Sequence, residues 1–196
     1  MDQLARTLIW FALAAALFTV IAKGLGWWLE DTRRMRRTLA KALGKLPDAE
    51  VMDFTHGKAA ALDFTRGDLA VLWDRSGNGL VFGFDEIEGA ELIIDGKVVG
   101  RSQRGENRRV LDETFSGASR VVLRLMFDDV RYPELELEVF GPDLVHRQPG
   151  ASADAAVKLG RKWLSHIDAV IRRPKPPKAP VPAPADGQDV PRPPRT

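Results

Sequence analysis

The sequence predicts an α+β fold: an N-terminal transmembrane helix, then a small antiparallel, strongly bent β-sheet or barrel, closed by a C-terminal helix. Three observations lead to this prediction. Residues 7–22 hold no charge, hydrophobicity alternates with a period of two from residue 49, and helical spacing returns after residue 152. The 196 residues leave room for one domain between the first helix and a proline-rich tail.

The first element is predicted to be a membrane anchor, a helix over about residues 8–29. A hydrocarbon core of ~30 Å needs about 20 apolar residues in a helix, and this segment supplies 22 with Lys23 as its only charge. Trp10 and the Trp27–Trp28 pair lie near its two ends, where membrane helices carry aromatic belts. The alternatives are a cleaved signal peptide, which the charge behind the apolar run disfavours, and a buried helix, which the flanking tryptophans disfavour.

The basic cluster behind the apolar run predicts an orientation. Residues 23–46 contain seven basic and two acidic residues, and positive residues stay on the cytoplasmic side. We therefore expect a single-pass protein of the bacterial inner membrane, with its N-terminus outside and its C-terminal domain cytoplasmic. The residues expected at the membrane interface are Trp10, Lys23, Trp27, Trp28, Arg33, Arg34, Arg36 and Arg37.

A basic juxtamembrane helix is predicted over residues 31–47. Leu39, Leu43 and Leu46 recur at helical spacing on one side of it, and Pro47 ends it.

The domain that follows is expected to span residues 48–172. It is acidic, with 22 acidic and 15 basic residues between positions 47 and 171, so nucleic-acid binding by the folded part is not indicated. Residues 173–196 are rich in proline and poor in large apolar side chains, which predicts a disordered tail.

Eight short runs rich in β-branched and aromatic residues predict the strands of the domain. The runs are AEVMDFTH, AAALDFT, LAVLWD, LVFGFD, AELIID, KVVGRS, RVVLRLMF and ELELEVF. Asp95–Gly96, between the fifth and sixth runs, indicates a two-residue hairpin. In the last run Leu135, Leu137 and Val139 share one face and three glutamates the other, which predicts a strand with one wet face.

A helix over residues 152–172 is predicted to close the domain, with Ser152 or Asp154 available as its N-cap. Apolar residues recur in it at spacings of three and four and form one stripe. The members of the stripe are Ala156, Leu159, Trp163, Ile167 and Val170. Trp163, at the middle of the stripe, is expected to fill the core.

Three stretches resemble bacterial pleckstrin-homology-like (PH-like) domains. The first is the succession LAVLWD, FDEI and AELIIDGKVV, the second is VVLRLMFDDVRYPELELEVF, and the third is AAVKLGRKWL. The resemblance covers roughly residues 59–171 and implies a binding or scaffolding module without catalytic residues. The stretch RSQRGENRRVLDETFSG departs from the glycine-rich one that many PH-like domains carry at this place.

No catalytic, cofactor-binding or metal-ligating residues are predicted. The chain has no cysteine, which excludes zinc–thiolate sites and thiol nucleophiles. Its histidines are His56, His146 and His166. None of them has a second ligand at metal spacing. The neighbouring Asp128 and Asp129 indicate a polar turn before Tyr132–Pro133 rather than a pair of acid–base catalysts.

One dense basic patch is predicted on the domain, in the loop after the sixth run. It consists of Arg101, Arg104, Arg108 and Arg109. Guanidinium groups match the geometry of phosphate and carboxylate, so the patch is a candidate site for an anionic headgroup or an acidic partner. A solvated loop is the alternative.

The expected function is protein interaction or scaffolding by a non-enzymatic module. The expected partners are the lipid bilayer, through the N-terminal helix, and an unidentified protein, with no nucleic acid. Recognition of an anionic lipid headgroup is one alternative, which the acidic charge of the domain disfavours. A membrane-tethered hydrolase is the other alternative, and no Ser/His/Asp or paired-carboxylate pattern supports it.

Overall fold

Nine strands form two antiparallel sheets in the part of the chain that the structure describes. The computed structural model describes residues 10, 13, 18, 30–107, 109–110, 117–147 and 150–174. Its elements in chain order are α1 (30–43), β1 (Ala49–Asp53), β2 (Lys58–Asp63), β3 (Asp68–Leu72), β4 (Gly79–Gly83), a 3-10 turn (Phe84–Glu86), β5 (Ile87–Ile94), β6 (Lys97–Gln103), β7 (Arg109–Val110), β8 (Val121–Phe127), β9 (Glu134–Phe140), α2 (Pro142–Arg147) and α3 (Ala153–Ile171).

The local predictions for the strands are confirmed. Each of the eight predicted runs overlaps one strand, with ends that differ by up to three residues, and the two-residue β7 is additional. The hairpin between β5 and β6 is also confirmed, since Ile94 pairs with Lys97 around Asp95 and Gly96, whose φ angles are 49° and 80°. Positive φ at both central residues is what a type I′ turn requires, and the Asp-Gly sequence meets that requirement.

The two faces of β9 differ less in solvent exposure than predicted. Leu135, Leu137 and Val139 are buried as expected, but Glu138 on the opposite face is only 8% exposed. Arg120 explains this burial, because its Nε atom lies 2.7 Å from Glu138 Oε2 and neutralises the carboxylate.

The strands form two sheets, so the prediction of a single bent sheet or barrel is wrong. The first sheet has the order β1-β2-β3-β4 and the second has the order β7-β6-β5-β8-β9. The central pair of the second sheet, β5 and β8, joins residues far apart in the chain, such as Ile94 and Val121. Alternation within a run indicates which side chains face a core but not which strands are neighbours, and the prediction failed for this reason.

No helix among the described residues is long and apolar enough to span a lipid bilayer. This finding contradicts the predicted transmembrane helix over residues 8–29 and the predicted single-pass location in the bacterial inner membrane. Of that span only Trp10, Leu13 and Phe18 are described, and the rest lies outside the described residues. The two long helices that the structure describes, α1 and α3, each pack one apolar stripe on the protein and carry charged residues on their other faces. Neither is therefore apolar on all sides, as a membrane-spanning helix is.

Helix α1 packs on the outer face of the first sheet. Met35, Leu39 and Leu43, four residues apart, are each at most 2% exposed. The buried sheet residues in contact with this stripe are Ala59, Ala61, Ala70 and Leu72. Three of these four side chains are alanines, so the helix lies close to the sheet. Leu46, predicted on the same stripe, is 80% exposed because the helix ends before it.

Charged side chains from turns of the first sheet contact α1 near Asp31 and at its C-terminal end. Arg75 Nε lies 3.6 Å from Asp31 Oδ2 in the first described turn of the helix. Arg66 Nη1 donates to the carbonyl of Leu43 at 3.1 Å, which satisfies one of the acceptors that a helix end leaves open.

Helix α3 closes the core as predicted. Ser152 is its N-cap, because the Ser152 hydroxyl oxygen accepts a hydrogen bond from the Ala155 N–H at 3.2 Å. The buried stripe of the helix packs against β5, β6, β8 and β9. Trp163 at its middle is 1% exposed, which confirms the prediction that this side chain fills the core.

Asp95 supports a prediction on acid stability. Its Oδ1 atom accepts hydrogen bonds from the Ser119 hydroxyl at 2.6 Å and from the Arg120 N–H at 2.8 Å. These bonds, the hydroxyl bond first, hold the pKa of Asp95 below its ordinary value. A lowered pKa in the folded state stabilises the fold above the ordinary value, ~3.9, and this stabilisation is lost as pH falls through the lowered pKa.

We therefore expect Asp95→Asn to be less stable than the wild type at neutral pH. Asparagine also tolerates positive φ, so the turn is kept while the charge is lost. The difference in free energy of unfolding should shrink toward zero in strong acid, where Asp95 itself is protonated. Urea unfolding over a pH series measures this difference, and a difference that is independent of pH would contradict the prediction.

Candidate functional site

An apolar groove of about 520 Å³ lies between α1, β1, β9 and the first turns of α3. We call it the α1–α3 groove. Its apolar lining, which we call the floor, includes Val51 and Met52 of β1, Leu144 of α2, and Ala155 and Leu159 of α3. Most side chains that line the groove are apolar, which is typical of sites that receive apolar groups.

The α1 side of the groove carries arginines. Arg33 and Arg36 line it, with Glu50 of β1 beside them. Arg36 forms an ion pair with Glu50. Arg33 is exposed and forms no ion pair with another residue in the described ranges. The groove therefore combines an apolar floor with a rim of net positive charge.

The groove lies beside the place where the edges of the two sheets meet. β1 is the terminal strand of the first sheet and β9 of the second. Two side chains of the first sheet reach β9: Asp53 Oδ2, on β1, accepts the Glu138 N–H at 3.0 Å, and Lys58 Nζ, on β2, donates to the Glu136 carbonyl at 3.2 Å. Because no ladder of backbone bonds joins β1 to β9 in the described structure, space remains that α1 and α3 line from either side.

Asp53 belongs to a turn that occurs twice in the first sheet. The sequences Asp53-Phe54-Thr55-His56-Gly57 and Asp63-Phe64-Thr65-Arg66-Gly67 each join two strands, and their glycines have φ angles of 71° and 79°. In both turns the glycine N–H donates to the aspartate carbonyl, and the aspartate carboxylate accepts backbone N–H groups of the turn.

The Asp53–His56 pair has the geometry of a carboxylate that orients a catalytic imidazole. Asp53 is buried, its Oδ2 atom lies 2.9 Å from His56 Nδ1, and the His56 side chain is 49% exposed. The second turn argues against catalysis, because Asp63 fills the same place with Arg66 where His56 stands. We therefore assign Asp53 the role of a turn cap that also joins the two sheets.

Asp63 shows the same capping role with an ion pair added. Burial alone would raise the pKa of this carboxyl, but hydrogen bonds from the Arg66 N–H, from Lys45 and from the Thr65 N–H keep the pKa below its ordinary value. Lys45 Nζ lies 3.0 Å from Asp63 Oδ1 and so ties the residues after α1 to this turn.

The structure does not bring the four arginines of the predicted anion patch together. The Arg104 guanidinium donates to the backbone carbonyls of Phe84, Ile87 and Ile171, and its side chain is only 18% exposed. Arg104 therefore holds the end of α3 to the start of β5, and its donors are not available to an anion.

Two other members of the predicted patch, Arg101 and Arg109, are cross-strand neighbours on β6 and β7. Arg101 lies on the outer face of the second sheet, where its Nε atom is 3.4 Å from Glu91 Oε1. Arg109 is exposed on β7, opposite Arg101. Arg108 lies outside the described residues. Arg101 is thus paired in the sheet and does not form a basic cluster with Arg104.

A row of paired charges crosses the outer face of the second sheet. Arg124 donates to Glu136 Oε1 at 2.6 Å and to Glu91 Oε2 at 3.0 Å. The hydrogen bond with Glu136 raises the pKa of the Arg124 guanidinium. Since the charges in this row alternate along neighbouring strands, they stabilise the sheet rather than attract an ion of one sign.

Five of the eight residues predicted at a membrane interface are among the described residues. The arginines of the set are exposed on α1; they are Arg33, Arg34, Arg36 and Arg37. Trp10 is helical and 72% exposed, while Lys23, Trp27 and Trp28 lie outside the described residues.

The remaining candidate residues form no site. His166 of α3 lies against Phe64, with ring centroids 5.1 Å apart, and burial, with a smaller effect of Lys162, lowers the pKa of this imidazole. His146 lies in α2. The described residues include no group of three side chains that could hold a metal ion.

The turn predicted at Asp128–Asp129 is confirmed. Asp129 Oδ1 accepts the N–H groups of Arg131 and Tyr132 at 2.7 and 3.0 Å. A carboxylate that caps its own turn in this way has a local structural role.

The groove and the repeated turn were not predicted from the sequence. The repeat of the pattern Asp-Phe-Thr-x-Gly after ten residues was a readable signal for the turn. The groove has no such signal, because its lining comes from α1, β1, β9, α2 and α3, which are distant in the chain. No protein-family model, curated protein or solved structure matches this chain.

Proposed function

We propose that this chain is a protein-binding module whose α1–α3 groove receives an acidic, apolar segment of a partner protein. The observation that carries the proposal is the combination of an apolar floor with unbalanced arginine charge on the rim. A volume of about 520 Å³ falls within the ~300–1,000 Å³ usual for binding clefts. A groove of that size accommodates two or three large side chains of a peptide.

The apolar part of the groove accounts for affinity. Met52, Leu159 and Phe54 are half-buried in the described structure, so part of their surface is still in contact with water. Covering such surface contributes ~25 cal/mol per Å² of apolar area. Methionine and leucine side chains adapt to different partners, which is common at peptide-binding surfaces.

The charged part of the groove accounts for selectivity. Arg33 and Arg36 line the rim, while Arg34 and Arg37 lie exposed on the same helix. Glu50, beside these arginines, is already paired with Arg36. Acidic residues of a partner would be attracted to this rim, and a basic segment would be repelled.

The resemblance to PH-like domains supports the same class of function, since it implies a binding or scaffolding module. The site also favours binding over catalysis. Most of its lining is apolar side chains and arginines, and no histidine lines it; of the two hydroxyl side chains in the lining, Thr32 and Ser152, the latter is the N-cap of α3. Reaction chemistry requires groups that converge on one reacting atom.

A random peptide library displayed on phage and selected against the full chain tests the proposal. We expect the enriched peptides to combine acidic residues with large apolar ones. Arg33→Glu should weaken binding of such a peptide at least about tenfold, because it reverses the charge that attracts the acidic residues. Lys41→Glu is the matched control, since Lys41 is exposed on the same helix, about two turns beyond Arg33, and does not line the groove; it should change affinity less than twofold.

A second pair of variants tests the apolar floor. Ala155→Trp places an indole in the groove and should abolish binding of the selected peptide. Ala169→Trp, at an exposed position of the same helix that does not line the groove, should leave binding unchanged. Failure to enrich any peptide, enrichment without acidic residues, or equal effects within either pair would overturn the proposal.

A further inference from the structure

Strand β4 leaves one edge of the first sheet open. It is a terminal strand that pairs with β3, and no other described strand lies along its outer edge. Leu80 and Val81 of β4 are 42% and 44% exposed. Backbone N–H and C=O groups therefore face outward beside two exposed apolar side chains, which is a template for another strand.

β4 itself lacks the lysine, proline or bulge by which proteins usually protect such an edge, and of its backbone donors the Gly83 N–H is already bonded to Glu86 Oε2 at 2.7 Å. Its five residues, Gly-Leu-Val-Phe-Gly, include no charge and no proline, and its pairing with β3 has no bulge. Lysine, proline or a bulge on an edge strand prevents pairing with another chain. The opposite edge of the same sheet, β1, lies beside β9, to which the hydrogen bond between Asp53 and Glu138 joins it.

Apolar surface continues beyond the strand edge. Leu80 lies on the same face of the sheet as Phe82 because side chains alternate along a strand. Trp73 contacts the rings of Phe82 and Tyr132, with centroids 6.4 and 4.8 Å away. Tyr132 is itself 42% exposed. An added strand would therefore extend an apolar surface that already exists.

The order of the side chains in β4 favours a second copy of this chain as the added strand. The sequence Gly79-Leu80-Val81-Phe82-Gly83 has the same pattern of small and large apolar residues in both directions. Antiparallel pairing about a two-fold axis at Val81 places glycine opposite glycine, leucine opposite phenylalanine and valine opposite valine. No like charges meet at the axis, and every pair is small or apolar.

We propose that two copies of the chain associate through antiparallel pairing of their β4 strands. The two four-stranded sheets then form one continuous sheet across the dimer. This surface is separate from the α1–α3 groove, whose lining includes no residue of β4. Each copy therefore keeps its groove accessible, and the dimer presents two binding sites, which raises avidity for a partner with two segments.

Sedimentation velocity of the full chain over a range of concentrations tests the proposal. We expect a dimer for the wild type. Val81→Lys and Val81→Glu should each weaken the dimer at least about 100-fold, because like charges then lie opposite each other at the axis. An equimolar mixture of the two variants should restore the dimer, since lysine then faces glutamate. This rescue distinguishes pairing at Val81 from a general loss of folding.

Val98→Lys is the matched control. Val98 is also a strand residue that is 44% exposed, but it lies on β6 of the second sheet, so its replacement should leave the dimer unchanged. A wild type that remains monomeric at all concentrations would overturn the proposal. So would equal effects of Val81→Lys and Val98→Lys, or folded Val81 variants whose mixture stays monomeric.

Discussion

Replacing Trp163 by alanine is expected to lower the free energy of unfolding by about 3–5 kcal/mol, the usual cost of truncating a buried tryptophan. Trp163 is 1% exposed and lies on the helix that packs against β5, β6, β8 and β9. Those strands are held in a ladder and cannot collapse into the space that the indole leaves. Because the free energy of unfolding of a domain is only ~5–15 kcal/mol, this one substitution removes a large share of the stability. Urea unfolding followed by circular dichroism measures the effect.

Two further variants make this result specific to the indole. Lys162→Ala removes an exposed neighbour on the same helix and should change stability by less than about 0.5 kcal/mol. Trp163→Phe keeps most of the apolar volume, so its free energy of unfolding should lie between those of Trp163→Ala and Lys162→Ala. Equal stabilities for Trp163→Ala and Lys162→Ala would show that Trp163 does not anchor the core.

Replacing Asp53 by alanine is expected to cost about 2–4 kcal/mol, because two backbone N–H groups lose their acceptor in a buried place. These are the N–H of His56, 2.9 Å from Asp53 Oδ1, and the N–H of Glu138, 3.0 Å from Oδ2. The second of these bonds joins β1 to β9, so its loss weakens the contact between the two sheets. Urea unfolding measures the total, and hydrogen exchange at the Glu138 amide should become faster.

The control for Asp53 is its histidine neighbour. His56→Ala removes the imidazole but leaves the backbone N–H that Asp53 accepts, so its cost should stay below about 1 kcal/mol. A large effect of His56→Ala with a small effect of Asp53→Ala would contradict the role of Asp53 as a turn cap. It would instead point to a function of the imidazole.

The two proposed surfaces differ in what they require of a partner. In the proposal for the α1–α3 groove, arginine side chains would select acidic segments and the apolar floor would provide contact area. The β4 edge uses backbone groups, which pair with any extended strand, so its selectivity comes from the apolar palindrome around Val81. A chain with both surfaces is suited to hold partners in pairs.

The elements that sequence analysis predicted well depend on neighbours in the chain. The Asp95–Gly96 turn follows from the φ angles that two adjacent residues tolerate, and the buried stripe of α3 follows from helical spacing around Trp163. The membrane interpretation of residues 8–29 failed on the described structure, and the arginines behind that run lie on the exposed face of an amphipathic helix. In a sequence, a short apolar run followed by basic residues looks the same in a membrane anchor and in an amphipathic helix that packs on protein.

The sequence by itself determined the strands, the closing helix, the hairpin and the burial of Trp163, because periodicity and turn chemistry act over a few residues. Only the tertiary structure decided that the strands form two sheets, that α1 lies on alanines of the first sheet, and that Arg104 is used to hold backbone carbonyls. It also created the groove and left β4 at an open edge. Each of these depends on contacts between segments that are far apart in the chain, and no local pattern specifies which distant segments meet.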